Sequence, residues 1–303
     1  IVAIPTETVY GLAASAYDET AIKKIFTAKG RPQDNPLIVH VSSLDMAKEI
    51  VEDFSEEAKL LAEKFWPGPL TIILNKNSKI PSVVSAGLDT VAVRMPSNKV
   101  AKELIKVSRL PLAAPSANTS GSPSPTSAEH VLADLDGKIN AVIMSEPCSV
   151  GVESTVVTLA QKPFRVLRPG AVTAEEIKEL LPFTEVDKAI LQEIKSDEKV
   201  ASPGMKYKHY SPKTEVFLVE GTSEEFCSYV NEKQNSLAVC FDEEADKITI
   251  KKLPYGKTKD DSQKAKQLFS ILRKVDSIDA TAVYVHAPCK EGIGLAVYNR
   301  LIR

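Results

Sequence analysis

The sequence predicts an α/β protein built from two α/β domains in tandem. Three observations lead to this prediction: a length of 303 residues, which suits about two domains; alternating strand-like and helix-like apolar patterns in both halves; and a change of composition past Pro182. Residues 214–303 alternate most regularly, which is typical of a small, mostly parallel open sheet with crossover helices. The predicted boundaries are 1–182, 183–212 and 213–303, the middle segment being an interdomain linker.

The first helix of the N-terminal domain ends at a corner that carries two cations. Asp18 is the predicted N-cap and Gly30 the stop signal, because glycine accepts the left-handed conformation that closes a helix. Lys29 and Arg31 flank that glycine, and a cation pair at a fixed corner suits phosphates or carboxylates. The alternative is that Lys29 only complements the helix dipole while Arg31 is solvated. Spacing alone leaves both interpretations open.

The rest of the N-terminal domain alternates short strands with capped helices. Strands are predicted at 1–4, 37–39, 70–74, 90–96, 141–144, 152–159 and 164–167. Helix starts are predicted at Ser55, Ser97 and two capping boxes, Thr126 with Glu129 and Thr173 with Glu176. The chain opens at Ile1 inside a strand-like run without an initiator Met, so a further element upstream is expected.

The C-terminal domain has a simpler pattern. Strands are predicted at 216–219, 236–241, 248–253 and 281–286, and helices at 222–234, at 260–275 and after Gly294. Gly292 and Gly294 invite a nucleotide-loop interpretation, but a third glycine is lacking. A tight turn from strand to helix is the simpler explanation.

Composition excludes several classes of function. The net charge is −2, with 43% hydrophobic residues, so any nucleic-acid contact would need a local basic patch. The four cysteines stand far apart without metal-ligand spacing, which predicts reduced thiols in a cytoplasmic protein. No apolar run is long enough to span a membrane.

Two kinds of polar residue in the N-terminal loops indicate a polyanionic ligand. No Ser-His-Asp set stands at motif spacing, and no phosphate loop is present, which excludes an ordinary P-loop enzyme. Several cations among hydroxyls suit phosphoryl or nucleotidyl transfer, a reaction that depends on positioning and charge neutralisation. The cations are Lys29, Arg31, Arg94 and Arg168, and the neutral groups are Thr8, Ser116, Asn118, Ser124, Ser154 and Thr155.

The linker ends in a segment that a simple spacer does not need. Residues 202–212 place two tyrosines, one histidine and two lysines between proline-containing ends. We expect this segment to fold onto another part of the protein. The alternative is that the rings only pack against a domain surface.

Several ordered motifs resemble the YrdC-like family. They lie at 5–12 (Pro-Thr-Glu-Thr-Val-Tyr-Gly-Leu), 29–32 (Lys-Gly-Arg-Pro), 35–37, 66–71, 94–96, 115–118 (Pro-Ser-Ala-Asn) and 167–170. Lys29, Arg31, Ser116 and Asn118 look like the signature tetrad of that family. The linker and the α/β tail resemble its two-domain members, the threonylcarbamoyl-AMP synthases.

The resemblance implies a fold and an activity. The fold would be a YrdC-like twisted open α/β domain around a deep cationic cavity, plus a smaller Rossmann-like C-terminal domain joined by an ordered linker. The activity would be synthesis of L-threonylcarbamoyl-AMP from L-threonine, bicarbonate and ATP, with release of pyrophosphate. The product would feed the threonylcarbamoyl-adenosine modification of tRNA through downstream transferase proteins, with at most a weak RNA contact.

The resemblance also implies roles for single residues. The tetrad Lys29, Arg31, Ser116 and Asn118 would be catalytic, and Tyr207 would close over the nucleotide as a lid. Mg²⁺ would be bound mainly by the ATP phosphates, without a metal site on the protein. His40 could instead be a buried core histidine. The implied ATP ligands are Lys29, Arg31, Asn35, Thr90, Ser116, Asn118, Ser124, Arg168 and Tyr207, and the implied threonine ligands are Thr8, His40, Arg94, Ala114 and Ser154.

Two other functions are weighed against this one. A carbamoyl-phosphate-using enzyme of metallocentre maturation would show zinc-finger-like cysteine pairs and an acylphosphatase-like segment, and the sequence has neither. A non-catalytic RNA-binding module would show a basic face and stacking aromatics. The net charge of −2 and the 6% aromatic content argue against that module.

Overall fold

The computed structural model describes residues 1–191, 212 and 214–303. Within these residues the chain forms one sheet of ten strands and one of four. The larger sheet belongs to the N-terminal part of the chain and the smaller sheet to residues after 214. Two α/β units in tandem are what the sequence predicts.

The large sheet is mixed and open. Its strand order is β10-β9-β8-β4-β5-β3-β6-β2-β1-β7. Pairing is parallel between β3 and β5 and between β4 and β8, and antiparallel between β4 and β5. The strands are β1 (Val2–Ile4), β2 (Gly11–Ser15), β3 (Ile38–His40), β4 (Leu70–Asn75), β5 (Thr90–Arg94), β6 (Leu112–Ala113), β7 (Ala141–Val142), β8 (Thr155–Thr158), β9 (Arg165–Arg168) and β10 (Glu185–Val186).

Seven α-helices accompany this sheet within the described residues. They are α1 (Glu19–Lys29), α2 (Leu44–Lys48), α3 (Glu56–Phe65), α4 (Ser82–Ser85), α5 (Lys99–Ser108), α6 (Ala128–Leu135) and α7 (Ala174–Leu180). Helix α1 begins and ends as predicted: Asp18 accepts hydrogen bonds from two backbone N–H groups, and Gly30 has φ +61°. Ile22, Ile25 and Phe26 of α1 are buried in the main apolar core.

Two predicted caps are displaced by one residue, and one capping box is confirmed. Asn98, not Ser97, caps α5, because its side chain accepts the N–H groups of the first turn. Ser127, not Thr126, caps α6, since the Thr126 hydroxyl lies 3.3 Å from His130 Nδ1. The capping box of Thr173 with Glu176 forms as predicted.

The large sheet continues beyond the predicted domain boundary at 182. Strand β10 pairs in parallel with β9, and a 3-10 helix, Lys188–Ile190, follows it. The first part of the predicted linker therefore belongs to the N-terminal sheet. The remainder of that linker, apart from residues 191 and 212, lies outside the described residues.

The C-terminal unit is a four-stranded parallel sheet. Its order is β11-β14-β12-β13, and all three pairings are parallel. The third strand in chain order, β13, begins at Lys251, later than predicted. A 3-10 helix, Asp242–Lys247, precedes it. Its elements are β11 (Glu215–Val219), α8 (Ser223–Asn231), β12 (Ser236–Cys240), β13 (Lys251–Pro254), α9 (Asp261–Val275), β14 (Ala282–His286) and α10 (Gly292–Leu301).

The two glycines near the end of the chain allow the start of the last helix to pack closely against the preceding loop. Gly292 and Gly294 lie in the first turn of α10. A Cβ atom on Gly294 would stand 2.3 Å from the Cys289 sulfur, so only glycine lets the helix start this close to the preceding loop. This geometry agrees with the tight turn rather than with a nucleotide loop.

The two units share an apolar core at their junction. Val9 and Val152 of the N-terminal unit belong to the same buried cluster as Phe269 of α9 and Val297 of α10. Gly151 has φ +82°, and a Cβ atom there would lie 2.4 Å from the Cα of Lys266. The backbones of the two units therefore approach each other closely beside the loop that precedes β8.

Candidate active site

A pocket opens where strand ends and loops of the N-terminal unit converge. The space between its walls, including the open solvent at its mouth, is about 760 Å³. His40 ends β3 and Arg94 ends β5, and these two strands pair in parallel so that the two residues are direct partners. Lys29 enters from the end of α1. Different parts of the chain are thus brought to one cavity.

The pocket gathers most of the residues that the sequence singled out. The whole predicted tetrad lines it, together with both predicted cations from strand ends. Asn35, Thr90 and Ser124 do not line it, and Tyr207 lies outside the described residues. The predicted residues on the pocket wall are Thr8, Lys29, Arg31, His40, Arg94, Ala114, Ser116, Asn118, Ser154 and Arg168.

Lys29 is buried, and backbone carbonyls hold its ammonium group. Its Nζ donates to the carbonyl oxygen of Ser116 at 2.5 Å and to that of Asn118 at 2.6 Å. Burial, and next the charge of Arg31, lower the pKa of Lys29 well below its usual value. Only 2% of Lys29 is exposed, and these hydrogen bonds give it more to do than complement the helix dipole. It ties the end of α1 to the loop of the other tetrad members.

Arg94 and Glu7 form a buried ion pair at one end of the pocket. Arg94 Nη2 lies 2.6 Å from Glu7 Oε1, and Nη1 donates to the Thr8 hydroxyl at 2.8 Å. Burial alone would raise the pKa of Glu7, but the charge and hydrogen bond of Arg94 outweigh it and the pKa is lowered. Glu7 therefore holds the guanidinium in one orientation. The sequence analysis assigned no role to Glu7.

His40 presents a buried, neutral imidazole to the pocket. Among the described residues, its Nδ1 has no hydrogen-bond partner. Burial, followed by the charge of Arg94, lowers the pKa of His40 from 6.5 to about 3. Buried polar atoms are nearly always paired in proteins, so this unpaired nitrogen is unusual, and the ligand role of His40 stays a prediction.

This pKa shift predicts that His40 makes the protein less stable in acid. The folded state keeps His40 neutral, whereas the unfolded chain takes up a proton below pH 6.5. Stability is therefore lost as the pH falls from 7 to 5, by about 2 kcal/mol for this residue. Denaturant unfolding at pH 7 and pH 5 measures the loss of unfolding free energy. We expect that loss to be smaller by about 2 kcal/mol in His40→Gln than in the native protein. An equal loss in both proteins would contradict the shift.

Ser154 and Arg168 form another part of the pocket wall. Arg168 Nε donates to the Ser154 carbonyl at 3.0 Å, and Nη2 donates to the Ser154 hydroxyl at 3.1 Å. The Thr71 hydroxyl lies 2.7 Å from the same serine hydroxyl. A cation and two hydroxyl groups are therefore fixed relative to one another before any ligand binds.

Glu153 lines the pocket and was missed by the sequence analysis. Its Oε1 accepts a 2.5 Å hydrogen bond from the Ser124 hydroxyl, and its Oε2 lies 3.1 Å from Arg300 Nε of the C-terminal unit. Burial would raise the pKa of Glu153, but the nearby Arg300 and Arg168 charges lower it. The only sequence signal is an acid inside an otherwise apolar and hydroxyl stretch. Its cationic partner is 147 residues away, beyond any local pattern.

Three of the implied ATP ligands are not among the residues that line the pocket. Thr90 begins β5 whereas Arg94 ends it, which separates them by about 13 Å along the strand; the role of Thr90 as an ATP ligand stays a prediction. Ser124 is buried and contacts Glu153 rather than lining the cavity. Asn35 is fully buried, with both side-chain amide atoms unpaired among the described residues.

The described residues contain neither a metal-ligand cluster nor a bilayer-spanning helix. No group of three His, Cys, Asp or Glu side chains in this part of the chain could hold a metal ion. The two carboxylates beside the pocket, Glu7 and Glu153, are each paired with an arginine. Across the same residues, no helix combines the length and apolar character needed to cross a membrane.

Sequence comparison identifies the family. Residues 1–170, more than half of the chain, match the sequence model of Sua5, YciO and YrdC proteins, whose description is "Telomere recombination". The chain belongs to the Sua5/YciO/YrdC family. Residues 172–303 match the model described as "Threonylcarbamoyl-AMP synthase, C-terminal domain". The predicted YrdC-like relationship and the two-domain α/β fold are thereby confirmed.

Relatives of this Sua5-type chain are similar over nearly its whole length. It is 44% identical to the threonylcarbamoyl-AMP synthase of Pyrococcus abyssi, covering 99% of this chain and 89% of that protein. It is 42% identical to the enzyme of the same name from Bacillus subtilis, covering 100% and 88%. The crystal structure of P. abyssi Sua5 complexed with L-threonine superposes with a TM-score of 0.90 at 41% identity, covering 99% of this chain and 88% of that one.

Proposed function

We propose that this chain is an L-threonylcarbamoyl-AMP synthase, which makes its product from L-threonine, bicarbonate and ATP and releases pyrophosphate. One observation carries the proposal. The tetrad Lys29, Arg31, Ser116 and Asn118 meets in one pocket, in a chain 42–44% identical to threonylcarbamoyl-AMP synthases. Neither a maturation enzyme nor an RNA-binding module is favoured by any feature of this pocket.

The ATP subsite that we propose lies between the α1 corner and the Ser154–Arg168 wall. Lys29, Arg31 and Arg168 supply positive charge, and Ser116 and Asn118 supply polar groups beside them. Fixed cations in a partly closed site stabilise the charge that develops during nucleotidyl transfer. Lys29 is already held within 2.6 Å of two carbonyls, so its ammonium group is fixed before ATP binds.

The threonine subsite that we propose lies at the Arg94 end. The predicted threonine ligands Thr8, His40, Arg94, Ala114 and Ser154 all line the cavity, and Ser154 adjoins both proposed subsites. A guanidinium is well suited to a carboxylate, and Glu7 keeps the Arg94 guanidinium in place. The P. abyssi Sua5 structure contains L-threonine, which supports placing the same ligand in the pocket of this chain.

The chemistry requires orientation more than a strong base. The threonine amine first adds to bicarbonate, giving a carbamate and releasing water. A carbamate oxygen then attacks the α-phosphorus of ATP, and pyrophosphate leaves with the electron pair of the broken P–O bond. All reactants are anionic or zwitterionic, so fixed cations that hold them close supply most of the required catalysis.

Mg²⁺ is proposed to arrive with ATP. Both carboxylates near the described part of the pocket are paired with arginines, and Mg²⁺ commonly keeps water and substrate phosphates as ligands. We therefore assign the ion to the triphosphate and water rather than to protein side chains. When bound, it would neutralise phosphate charge.

Further assignments follow from the family and the sequence. Tyr207 is proposed as a lid over the nucleotide, although it lies outside the described residues. The product would pass to downstream threonylcarbamoyl-transferase proteins that act on tRNA, with at most a weak RNA contact by this chain. Cys148, Cys227, Cys240 and Cys289 are all free thiols, which supports a reducing compartment such as the cytoplasm.

Pyrophosphate release from ATP tests the proposed function. The native protein is assayed with ATP and Mg²⁺ while threonine and bicarbonate are each supplied or omitted. We expect release only when both co-substrates are present, together with a nucleotide product heavier than AMP by the threonylcarbamoyl group. Release that ignores threonine would point to an ATP hydrolase. Tight, salt-dependent tRNA binding without any release would instead favour the RNA-binding module.

A further inference from the structure

One arginine of the C-terminal unit contacts two segments that also contribute residues to the pocket wall. Arg300 of α10 is fully buried. Its Nε lies 3.1 Å from Glu153 Oε2, and its Nη2 donates to the Glu153 carbonyl at 3.3 Å. Its Nη1 donates to the Pro169 carbonyl. The guanidinium thus holds both the loop before β8 and the turn after β9.

Those two segments carry the Ser154–Arg168 wall of the pocket. Ser154 directly follows Glu153, and Arg168 directly precedes Pro169. Arg168 in turn donates to the carbonyl and the hydroxyl of Ser154. Any shift of either segment would change the relative positions of a serine and an arginine that face the cavity.

Charge gives Arg300 a second role. The Glu153 carboxylate lines the same cavity as Arg168, where polyphosphate is proposed to bind. Its hydrogen-bond partners are the Ser124 hydroxyl on one oxygen and Arg300 on the other. Without Arg300, the negative charge of the buried Glu153 carboxylate would be balanced mainly by Arg168. The carboxylate would then also repel the phosphates.

We propose that Arg300 is a positioning residue of the synthase site, which neutralises Glu153 and so keeps the Ser154–Arg168 wall in place for ATP. The inference rests on the proposed function. It gives the C-terminal domain an indirect part in substrate binding, because a residue of its last helix supports the nucleotide wall. Arg300 does not line the cavity itself, and it acts only through Glu153 and Pro169.

A neighbouring contact provides a matched control. Asn299, on the same helix, donates from Nδ2 to the Ile190 carbonyl at 2.7 Å. This hydrogen bond also joins the two units, but Ile190 does not line the pocket. If Arg300 served only to dock the domains, Asn299→Ala and Arg300→Met would have similar effects on the reaction.

The decisive experiment compares Arg300→Met, Glu153→Gln, the double variant and Asn299→Ala in pyrophosphate release. We expect Arg300→Met to lower kcat/KM for ATP by about 30-fold or more, as for a truncated buried charge pair, with a smaller effect for threonine. Adding Glu153→Gln should recover about tenfold, because the unpaired carboxylate is gone. Asn299→Ala should stay within about threefold of native. Equal losses in Arg300→Met and the double variant would overturn the proposal.

Two further measurements keep the result interpretable. ATP-induced rise of the unfolding temperature needs no turnover, and it should be lost in Arg300→Met and regained in the double variant. That pattern without threonine-dependent release in the native protein would refute the synthase but retain Arg300 as a positioning residue for ATP. If Arg300→Met does not fold, Arg300→Lys, which keeps the charge, should show a smaller ATP defect than Arg300→Gln. Equal defects in those two variants would overturn the proposal.

Discussion

Replacing Lys29 with methionine is expected to lower kcat/KM for pyrophosphate release by about a thousandfold. Methionine keeps most of the volume of the buried side chain but removes its charge and its three donors. Loss of one fixed group that stabilises developing negative charge typically costs about 100- to 1,000-fold in kcat. Lys29 also ties Ser116 and Asn118 to the end of α1, so its loss disturbs the other tetrad members as well.

Lys23 offers the matched control on the same helix. Its Nζ lies 3.9 Å from Glu19 Oε2, and both side chains are more than half exposed. Lys23→Met is therefore expected to leave kcat/KM within about twofold of native, since exposed pairs contribute little. Circular dichroism of both variants verifies that they are folded. A folded Lys29→Met protein with near-native activity would remove Lys29 from the site.

Glu7→Gln is expected to lower the free energy of unfolding by about 3–5 kcal/mol. The change leaves the buried Arg94 guanidinium without its carboxylate partner at 2.6 Å, and breaking a buried ion pair on one side has this magnitude. The KM for threonine should rise as well, because the remaining Thr8 and Gly68 contacts hold Arg94 less firmly. Denaturant unfolding and threonine titrations measure the two effects.

A double variant separates stability from function. Glu7→Gln combined with Arg94→Met removes both charges, so we expect much of the lost stability to return while threonine-dependent release stays low. Glu56→Gln breaks an exposed pair with Lys59 and should cost less than about 1 kcal/mol. A cost for Glu7→Gln no greater than for Glu56→Gln would contradict the importance of the buried pair.

Local signals in the sequence predicted the features that depend on neighbouring residues. Asp18 and Gly30 bound helix α1 because a cap and a left-handed glycine act within one turn. The box of Thr173 with Glu176 formed for the same reason. The regular alternation after residue 214 gave a parallel sheet, since each segment has its own apolar face. The ordered motifs also predicted site residues, and ten of these residues line the pocket.

Features that depend on distant partners were not predictable in this way. Glu7 and Glu153 are buried only because Arg94 and Arg300 lie opposite them, 87 and 147 residues away. No spacing rule indicates such a pair. The absence of Thr90 from the pocket wall was not predictable for a related reason, because membership of β5 does not tell which end of the strand faces the cavity. The substrate roles of the pocket residues stay predictions until they are measured.

The shared core at the domain junction links occupancy of the pocket to undocking of the C-terminal domain. Val9 adjoins Thr8, and Val152 stands two residues before Ser154, yet both valines are buried with α9 and α10. If the domains separate, these loops lose their apolar support and the pocket loses its shape. A substrate that binds only the docked form therefore raises the free energy of undocking, by about 2.7 kcal/mol when its concentration is a hundred times its Kd. In this way a small molecule can act as a clamp between two domains, although it touches only one of them.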